Sequence, residues 1–172
     1  MQKHLNTVEK LRIERTRAAL EKNGMKTYYA ETCKEAVELV QSLLKKGDVI
    51  SSGGSISLET SGMKTLMRNG DYVYLDRDSN EMSVAEVYEK TFGCDVYLTS
   101  TNAVTEQGEL YNVDGTGNRV AAITYGPKRV LVLAGYQKIV RNMEEAVYRV
   151  KTVAASANGL RQVRGRYRGE RS

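Results

Sequence analysis

Two loops of this chain carry residue types that could hold a small anion. The first reads SSGGSIS at residues 51–57, where Gly53 and Gly54 leave the backbone open and the serines add hydroxyl donors. Successive backbone N–H groups and hydroxyls of this kind can form a nest that binds an anion. The alternative interpretation is a tight turn from a strand into a helix, with serines as caps.

The second loop lies in residues 100–126, STNAVTEQGELYNVDGTGNRVAAITYG. Its short polar side chains can hydrogen-bond a ligand, and its glycines can adopt positive φ or allow close approach. The apolar pattern after it predicts a short helix that begins at Gly117 or Asn118. Arg119 would then lie in the first turn, where the helix dipole disfavours a cation. Arg119 either binds a carboxylate or phosphate or braces the loop through Asp114 or Glu106.

The sequence indicates catalytic residues less clearly than it indicates an anion site. Glu59 and Asp114 are the candidate carboxylates for a base or nucleophile, although a carboxylate after the serine loop also simply favours the first turn of a helix. The only histidine, His4, lies near the N-terminus, so no spacing suggests a Ser-His-Asp or Cys-His arrangement. Two cysteines cannot supply the four thiolates that an iron–sulfur cluster usually takes, and we expect no metal site. GTGNRV does not match the dinucleotide-binding pattern, and no phosphate-loop motif occurs.

Hydrophobic periodicity predicts strands and helices in alternation. The predicted strands are residues 25–30, 48–52, 72–75, 95–99 and 130–134. The predicted longer helices are the first segment up to Asn23, a second helix that starts at Thr32 and is ended by Gly47, residues 58–68 with a break at Gly62, residues 83–91 and residues 142–154. Several strands are continuous apolar runs, as in strands buried on both faces. We therefore predict an α/β fold with a mostly parallel sheet and helices on both faces. Because ligands bind beyond the carboxyl ends of parallel strands, the two polar loops should form one pocket.

Composition indicates a single globular domain. The 172 residues are 41% hydrophobic and 27% charged, with one proline and no linker-like segment, so we assign residues 1–160 to one domain. No apolar run approaches the roughly 18 residues of a membrane span, and the N-terminus has no signal-peptide core. We expect a cytoplasmic protein in which Cys33 and Cys94 are reduced.

The net charge of +5 is concentrated at the C-terminus. Residues 161–172 contain five arginines and one glutamate, so they hold four of the five net positive charges. This basic segment has almost nothing to bury and is predicted to be a disordered tail. The domain itself is nearly neutral, which disfavours nucleic acid as a partner.

The chain resembles the LUD-domain family, of the lactate-utilisation protein C type. The residues that carry the resemblance are GGSISLET, STNAVTEQGELYNVDGTGNRVAAITYGPKRVLVLAGYQKIV and EEAVYRVKT, within residues 5–160. The resemblance implies a fold similar to the sugar-phosphate isomerase and coenzyme A transferase superfamily. Two features depart from the family pattern: Gln137 stands before Lys138 where Asn is usual, and the C-terminus is arginine-rich where many members continue into a cysteine-rich end.

The resemblance also implies which residues surround a ligand. By position, these ligand-binding candidates are Gly53, Gly54, Ser55, Asn102, Thr105, Asp114, Gly115, Thr116, Gly117, Asn118, Arg119 and Lys138. The family implies oxidation of lactate to pyruvate together with iron–sulfur partner proteins, with the clusters on the partners and no cofactor in this chain. A fold and a superfamily do not by themselves define the chemistry.

Two functional hypotheses from different classes follow. The first is an enzyme or enzyme subunit that acts on a small anionic metabolite: a hydroxy acid, a sugar phosphate or an acyl-coenzyme A. The second is a non-catalytic assembly or ligand-sensing subunit of a lactate-oxidising system. The polar loop favours the first hypothesis, and the scarcity of standard catalytic groups favours the second. The sequence leaves open the substrate, turnover and whether the chain forms a homo-oligomer.

We predict that the arginine-rich tail is dispensable for folding, because almost all periodic apolar residues precede residue 160. Truncation after Arg161 should leave the melting temperature within about 2 °C of the full chain, the scale of a change below 1 kcal/mol for a domain of this size. Differential scanning calorimetry of both proteins measures this. A larger loss would mean that the tail packs on the folded domain.

Overall fold

The computed structural model describes residues 2–79 and 81–154, and it divides the chain into two units. The parallel-sheet unit comprises Tyr28–Thr101 and Asp114–Gly135. Among the described residues, the mixed-sheet unit comprises residues 2–27, Asn102–Val113 and residues 136–154. The assignment of residues 1–160 to one domain stays a prediction, and the predicted tail at residues 161–172 lies outside the described residues.

Strands and helices are numbered along the chain. The strands are β1 (Val49–Ser52), β2 (Val73–Leu75), β3 (Val96–Ser100), β4 (Ala103–Thr105), β5 (Leu110–Tyr111), β6 (Arg129–Leu133) and β7 (Ile139–Val140). The α-helices are α1 (Gln2–Lys22), α2 (Cys33–Leu43), α3 (Ile56–Thr60), α4 (Met63–Asn69), α5 (Val84–Thr91), α6 (Asn118–Thr124) and α7 (Met143–Arg149). A 3-10 helix, Tyr136–Lys138, precedes β7, and a π-helical turn, Val150–Ala154, continues α7.

The parallel-sheet unit contains a four-stranded sheet in the order β2-β1-β3-β6. All three neighbouring pairs are parallel, with Ile50 of β1 opposite Tyr74 of β2 and Val96 of β3. Parallel neighbours require crossover connections, and the helices between these strands provide them. The predicted α/β fold with a parallel sheet is therefore confirmed.

Successive residues along each strand point to opposite faces of this sheet and pack against different helices. On one face, Ile50, Val96 and Leu98 pack with Leu58 of α3 and Met67 of α4, and α2 joins the same cluster. On the other face, Leu75 and Tyr97 pack with Val87 of α5 and Ala122 of α6. Each central strand is consequently buried on both sides, which explains why these strands read as apolar runs.

Local signals define the helix boundaries. Thr32 caps α2 by accepting from the N–H of Glu35 at 3.1 Å, and Ser83 and Glu86 form a reciprocal capping box at the start of α5. Gly62 has a φ of +85° and separates α3 from α4, which confirms the predicted break. A residue with a β-carbon would be strained there, so the sequence break and the backbone turn coincide.

The mixed-sheet unit contains a three-stranded sheet in the order β5-β4-β7. β4 pairs antiparallel with β5 and parallel with β7. Within this unit, Asn23 after α1 donates to the backbone oxygens of Gln107 and Gly108 at 3.0 and 2.9 Å. A β-carbon at Gly108 would lie 2.5 Å from the backbone of Ala19, so only glycine permits this approach of the hairpin turn to α1.

Four elements differ from the sequence-based expectation. The strand predicted at residues 25–30 is wrong, because these residues form neither strand nor helix, although Tyr28 and Tyr29 favour a strand by type. The strands β4, β5 and β7 were not predicted, because they are two or three residues long and lie among polar residues. Such short strands carry too few residues to show a period of two.

Across the described part of the chain, no helix has both the length and the apolar character needed to cross a membrane. The cytoplasmic location stays a prediction.

We expect the centre of β1 to dominate the stability of the parallel-sheet unit. Ile50 is fully buried and pairs with strands on both sides, so Ile50→Ala should lower the free energy of unfolding by about 2–5 kcal/mol through lost burial and a residual cavity. Urea denaturation measures this. Val73→Ala, at a position 54% exposed on β2, is the matched control and should cost below about 1 kcal/mol. Equal losses would contradict this assignment of the core.

Candidate functional site

The order of the strands creates a switch point at the carboxyl edge of the parallel sheet. The chain passes from β1 to β2 on one side and then returns to place β3 on the other side of β1. In open α/β sheets, ligands bind outside the carboxyl ends of the strands where the direction of winding reverses. Here that position lies between the end of β1 at Ser52 and the end of β3 at Ser100.

The two polar loops meet at this switch point. A β-carbon at Gly53 would lie 2.8 Å from the Tyr97 hydroxyl, 3.1 Å from Thr99 Oγ1 and 3.3 Å from Cδ of Arg119. Residue 53 is therefore glycine because three side chains crowd it, and it is buried, not exposed as the sequence suggested. Asn118 and Ser52 also line one small cleft, so the geometry places parts of both loops side by side.

Arg119 is held by a buried ion pair. Its Nε and Nη2 both lie 2.8 Å from Asp114 Oδ1, and Nη1 donates to the carbonyl oxygen of Ser100 at 2.7 Å. The other carboxylate oxygen of Asp114 accepts from the N–H of Val120 in α6 at 2.6 Å. The side chains of Arg119 and Asp114 are only 12% and 7% exposed. Of the two sequence-based interpretations of Arg119, this geometry favours the brace to Asp114.

A second arginine lies against the glycine loop. A β-carbon at Gly54 would collide with the guanidinium of Arg77, whose Cζ and Nη1 lie 3.1 and 3.2 Å from that position. Arg77 lies two residues after the end of β2 and is partly exposed. Its Nε is 3.6 Å from Asp78 Oδ1, which is too long for a good hydrogen bond. Arg77 is thus a cation placed beside open backbone.

The carboxylates near Arg77 are already paired with other cations. Lys64, which is buried, forms a short contact with Asp78, and this hydrogen bond lowers the pKa of the Asp78 carboxyl below its usual value. Arg68 donates from Nε to Asp76 at 2.7 Å. Three cations therefore face two carboxylates after β2, and one positive charge is left over beside Gly54.

The cleft beside Tyr97 is small. Its volume of about 20 Å³ is close to the space of one water molecule, and its walls include Val87, Phe92, Tyr97 and Asn118. Burial raises the pKa of Tyr97 to about 12, so its hydroxyl stays protonated at physiological pH. Nearby Cys94 is buried, and burial raises its pKa to about 11, which keeps it an unreactive thiol.

The remaining predicted residues of the parallel-sheet unit occupy varied positions. Ser55 precedes α3 and is 9% exposed, with no side-chain cap bond to the helix. Gly117 adopts the predicted positive φ, +78°, and precedes α6, whereas Gly115 does not adopt positive φ. The hydroxyl of Thr116 donates to the side chain of Asn118 at 2.9 Å. The candidate base Glu59 lies exposed on α3.

Three predicted ligand-binding residues belong to the mixed-sheet unit. Asn102 accepts from the N–H of Val113 at 2.9 Å. Thr105 is fully buried, and its hydroxyl forms two hydrogen bonds with Glu109 within the β4–β5 hairpin. Lys138 ends the 3-10 helix before β7. Asn102 and Thr105 thus have structural contacts within their own unit, and a ligand role for all three stays a prediction.

Sequence reasoning missed Arg77 and Tyr97. Arg77 lies in the run Asp76-Arg77-Asp78 directly after a strand, and a cation at that edge of a parallel sheet was the available signal. Tyr97 was read as one of several apolar residues in a buried strand. No local pattern shows that its hydroxyl reaches the glycine loop, because Gly53 is 44 residues away in the chain.

These features define an α/β protein with a ligand-type crevice at the switch point of a parallel sheet. A family model described as the LUD domain matches residues 13–165, and the chain therefore belongs to the LUD-domain family. No curated protein and no solved structure matches the chain. The likeness to the sugar-phosphate isomerase and coenzyme A transferase superfamily consequently stays an expectation.

We predict that Arg119→Met lowers stability, because it leaves the Asp114 carboxylate buried without its cation. Breaking one side of a buried pair typically costs about 3 kcal/mol, which urea denaturation can measure. Arg119→Lys is the control: it keeps the charge but cannot make the paired Nε and Nη contacts, so it should lose less than Arg119→Met. An Arg119→Met protein as stable as the wild type would contradict the brace.

Proposed function

We propose that this LUD-domain protein acts in lactate utilisation and binds a small anionic metabolite at the carboxyl edge of its parallel sheet. The ligand's carboxylate or phosphate lies against Gly54 and the guanidinium of Arg77. The lactate part of the proposal rests on the resemblance to the lactate-utilisation protein C type, whose setting implies oxidation of lactate to pyruvate with iron–sulfur partner proteins. Those partners would carry the clusters.

The observation that carries the binding proposal is the close approach of Arg77 to Gly54. An arginine guanidinium recognises carboxylates and phosphates through paired N–H donors. Beside it, the N–H groups of Gly54 and Ser55 donate to no residue that the structure describes. Two open backbone donors, a serine hydroxyl and a guanidinium with surplus charge together make an anion site.

A binding or sensing role has more support than catalysis. Asp114, one of the two candidate bases, is engaged by Arg119 and by the N–H of Val120, so its oxygens are committed to structure. Glu59, the other, is exposed on α3, where a base is fully solvated. An isomerase or transferase acting on a sugar phosphate or acyl-coenzyme A remains the alternative, since the same edge of the sheet would accept such an anion.

The test is ligand-induced stabilisation of the wild type and of Arg77→Met. Lactate, pyruvate, inorganic phosphate and coenzyme A should be titrated separately, because a ligand that binds the native state raises the melting temperature. Loss of a charge-assisted contact of roughly 1.5–3 kcal/mol should weaken the best anion about tenfold to a hundredfold in Arg77→Met.

Lys128→Met is the matched control for this experiment. It removes the same charge from the same unit, but Lys128 is 75% exposed next to the amino end of β6, where it pairs with Asp95. Its anion affinity should equal that of the wild type. If anion affinity fell equally in Arg77→Met and Lys128→Met, the loss would follow from the change in net charge alone, and the proposed site would be wrong. Failure of every anion to bind would also overturn it.

A further inference from the structure

Lys64 is a buried lysine whose counterion lies next to Arg77 in the chain. It occupies the first turn of α4, directly after the turn at Gly62, and its side chain is only 9% exposed. Its ammonium forms a short hydrogen bond with Oδ2 of Asp78, a residue whose side chain is 45% exposed. Lysine is seldom buried unless it is paired, so Asp78 is the partner that permits this burial.

Lys64 and Arg77 approach the same carboxylate but contact it differently. Lys64 is hydrogen-bonded to one oxygen of Asp78, whereas Nε of Arg77 lies 3.6 Å from the other oxygen, beyond hydrogen-bond distance. The hydrogen bond from Lys64 is also the main reason why the pKa of the Asp78 carboxyl is lowered, and Arg77 contributes only through its charge. The guanidinium of Arg77 lies instead against Gly54, where a β-carbon would be 3.1 Å from its Cζ.

The turn after β2 has hydrogen bonds of its own that fix its shape. Oδ1 of Asp76 accepts from the N–H of Asp78 at 3.0 Å, and the carbonyl oxygen of Asp76 accepts from the N–H and the hydroxyl of Ser79 at 3.1 and 2.9 Å. Arg68 donates to the second carboxylate oxygen of Asp76 at 2.7 Å. Because these bonds already define the turn, the pair between Lys64 and Asp78 has a separate effect: it determines which cation holds the Asp78 carboxylate.

We propose that Lys64 is a positioning residue of the anion site: it holds the Asp78 carboxylate and so keeps that carboxylate from pairing with Arg77. This inference rests on the proposed function and adds to it a residue that does not touch the anion. Without the ammonium, a side-chain rotation would bring Asp78 onto the guanidinium, because their nearest N and O atoms are already 3.6 Å apart. A carboxylate bound there would occupy the N–H donors that an anion needs.

The first test is Lys64→Met, which keeps most of the buried aliphatic stem and removes the ammonium. Isothermal titration calorimetry with L-lactate and, separately, inorganic phosphate at 0.15 M salt should show each anion binding about threefold to sixfold more weakly than to the wild type. Only molecules in which Arg77 is not paired with Asp78 are competent to bind, and a partly exposed ion pair competes on this scale. The loss should be smaller than in Arg77→Met, because the guanidinium is still present.

Rescue separates positioning from a structural role. Lys64→Met combined with Asp78→Asn should return both affinities to the wild-type values, because a neutral amide cannot form an ion pair with Arg77. In ligand-free protein, NMR should show slower solvent exchange of the Arg77 Nε–H in Lys64→Met than in the wild type, and fast exchange again in the double variant. A lower melting temperature with unchanged anion affinity, or no rescue by Asp78→Asn, would overturn the inference.

Asp78→Asn in the presence of Lys64 tests the same idea without removing the buried ammonium. The amide oxygen can still accept from Lys64, so the fold keeps a hydrogen bond at this position. Affinity for both anions should stay within about twofold of the wild type, because Lys64 already keeps the carboxylate away from Arg77. A gain of fivefold or more would mean that Asp78 competes with the anion even when Lys64 is present, and the proposed role of Lys64 would be wrong.

Arg68→Met is the matched control for charge. It removes one cation that pairs with the same turn, but it leaves Asp78 with Lys64, and Asp76 stays bonded to the N–H of Asp78. Anion affinity should therefore match that of the wild type. If Arg68→Met and Lys64→Met weakened binding to the same extent, the effect would come from net charge and not from the partner of Asp78.

The outcomes also separate this inference from the proposed function. If Arg77→Met weakens anion binding and Lys64→Met does not, the anion site stands and the role of Lys64 is wrong. If neither L-lactate nor phosphate binds the wild type, or if Arg77→Met binds them as the wild type does, the proposed site fails and the role of Lys64 fails with it.

Discussion

The ion pair between Asp114 and Arg119 holds the candidate site together. Asp114 is the first residue of the segment that carries α6, and its carboxylate bonds both the arginine side chain and the N–H of Val120. Arg119 in turn bonds the carbonyl oxygen of Ser100 at the end of β3. A cation in the first turn of a helix opposes the helix dipole, and the nearby carboxylate offsets that cost. The pair thereby fixes the start of α6 on the carboxyl edge of the sheet.

The absence of side chains at Gly53 and Gly54 completes this arrangement. Tyr97, Thr99 and Arg119 occupy the space that a side chain at residue 53 would need, and Arg77 occupies the space at residue 54. The backbone is therefore brought against polar groups from β3, from the residues after β2 and from α6. Asp76 and Asp78 are engaged by Arg68 and Lys64, and Arg77 has only a longer contact of 3.6 Å with Asp78.

The two arginines near the glycine loop differ in burial and in pairing. Arg119 is almost buried and is paired with Asp114, so its charge stabilises the fold. Arg77 is more exposed and lies 3.6 Å from its nearest carboxylate, and in the proposed site its charge binds the incoming anion. Residue type alone does not distinguish a structural arginine from a ligand-binding one, because both have the same N–H donors. Burial of the side chain and its distance from the nearest carboxylate distinguish them.

The sequence by itself determined the α/β class, the parallel sheet, the N-terminal caps of α2 and α5, the break at Gly62 and the start of α6. These features follow from periodicity, caps and glycine conformation, which act over a few residues. It also pointed to the glycine-serine loop and the second loop at the carboxyl edge. The sequence also predicted a strand at residues 25–30 that does not form, and it did not predict the three short strands β4, β5 and β7. In such short segments, whether a strand forms depends on pairing with distant residues more than on local propensity.

Only the tertiary structure decided what each candidate residue contacts. Arg119 faces Ser100 and Asp114, Arg77 faces Gly54, and Tyr97 faces Gly53, and all but the pairing with Asp114 join residues far apart in the chain. The sequence made Arg119 a candidate site residue because of its charge, but it left open whether that charge is paired with a carboxylate. Burial and pairing depend on how strands β1, β2 and β3 bring their ends together, and no local pattern encodes that order.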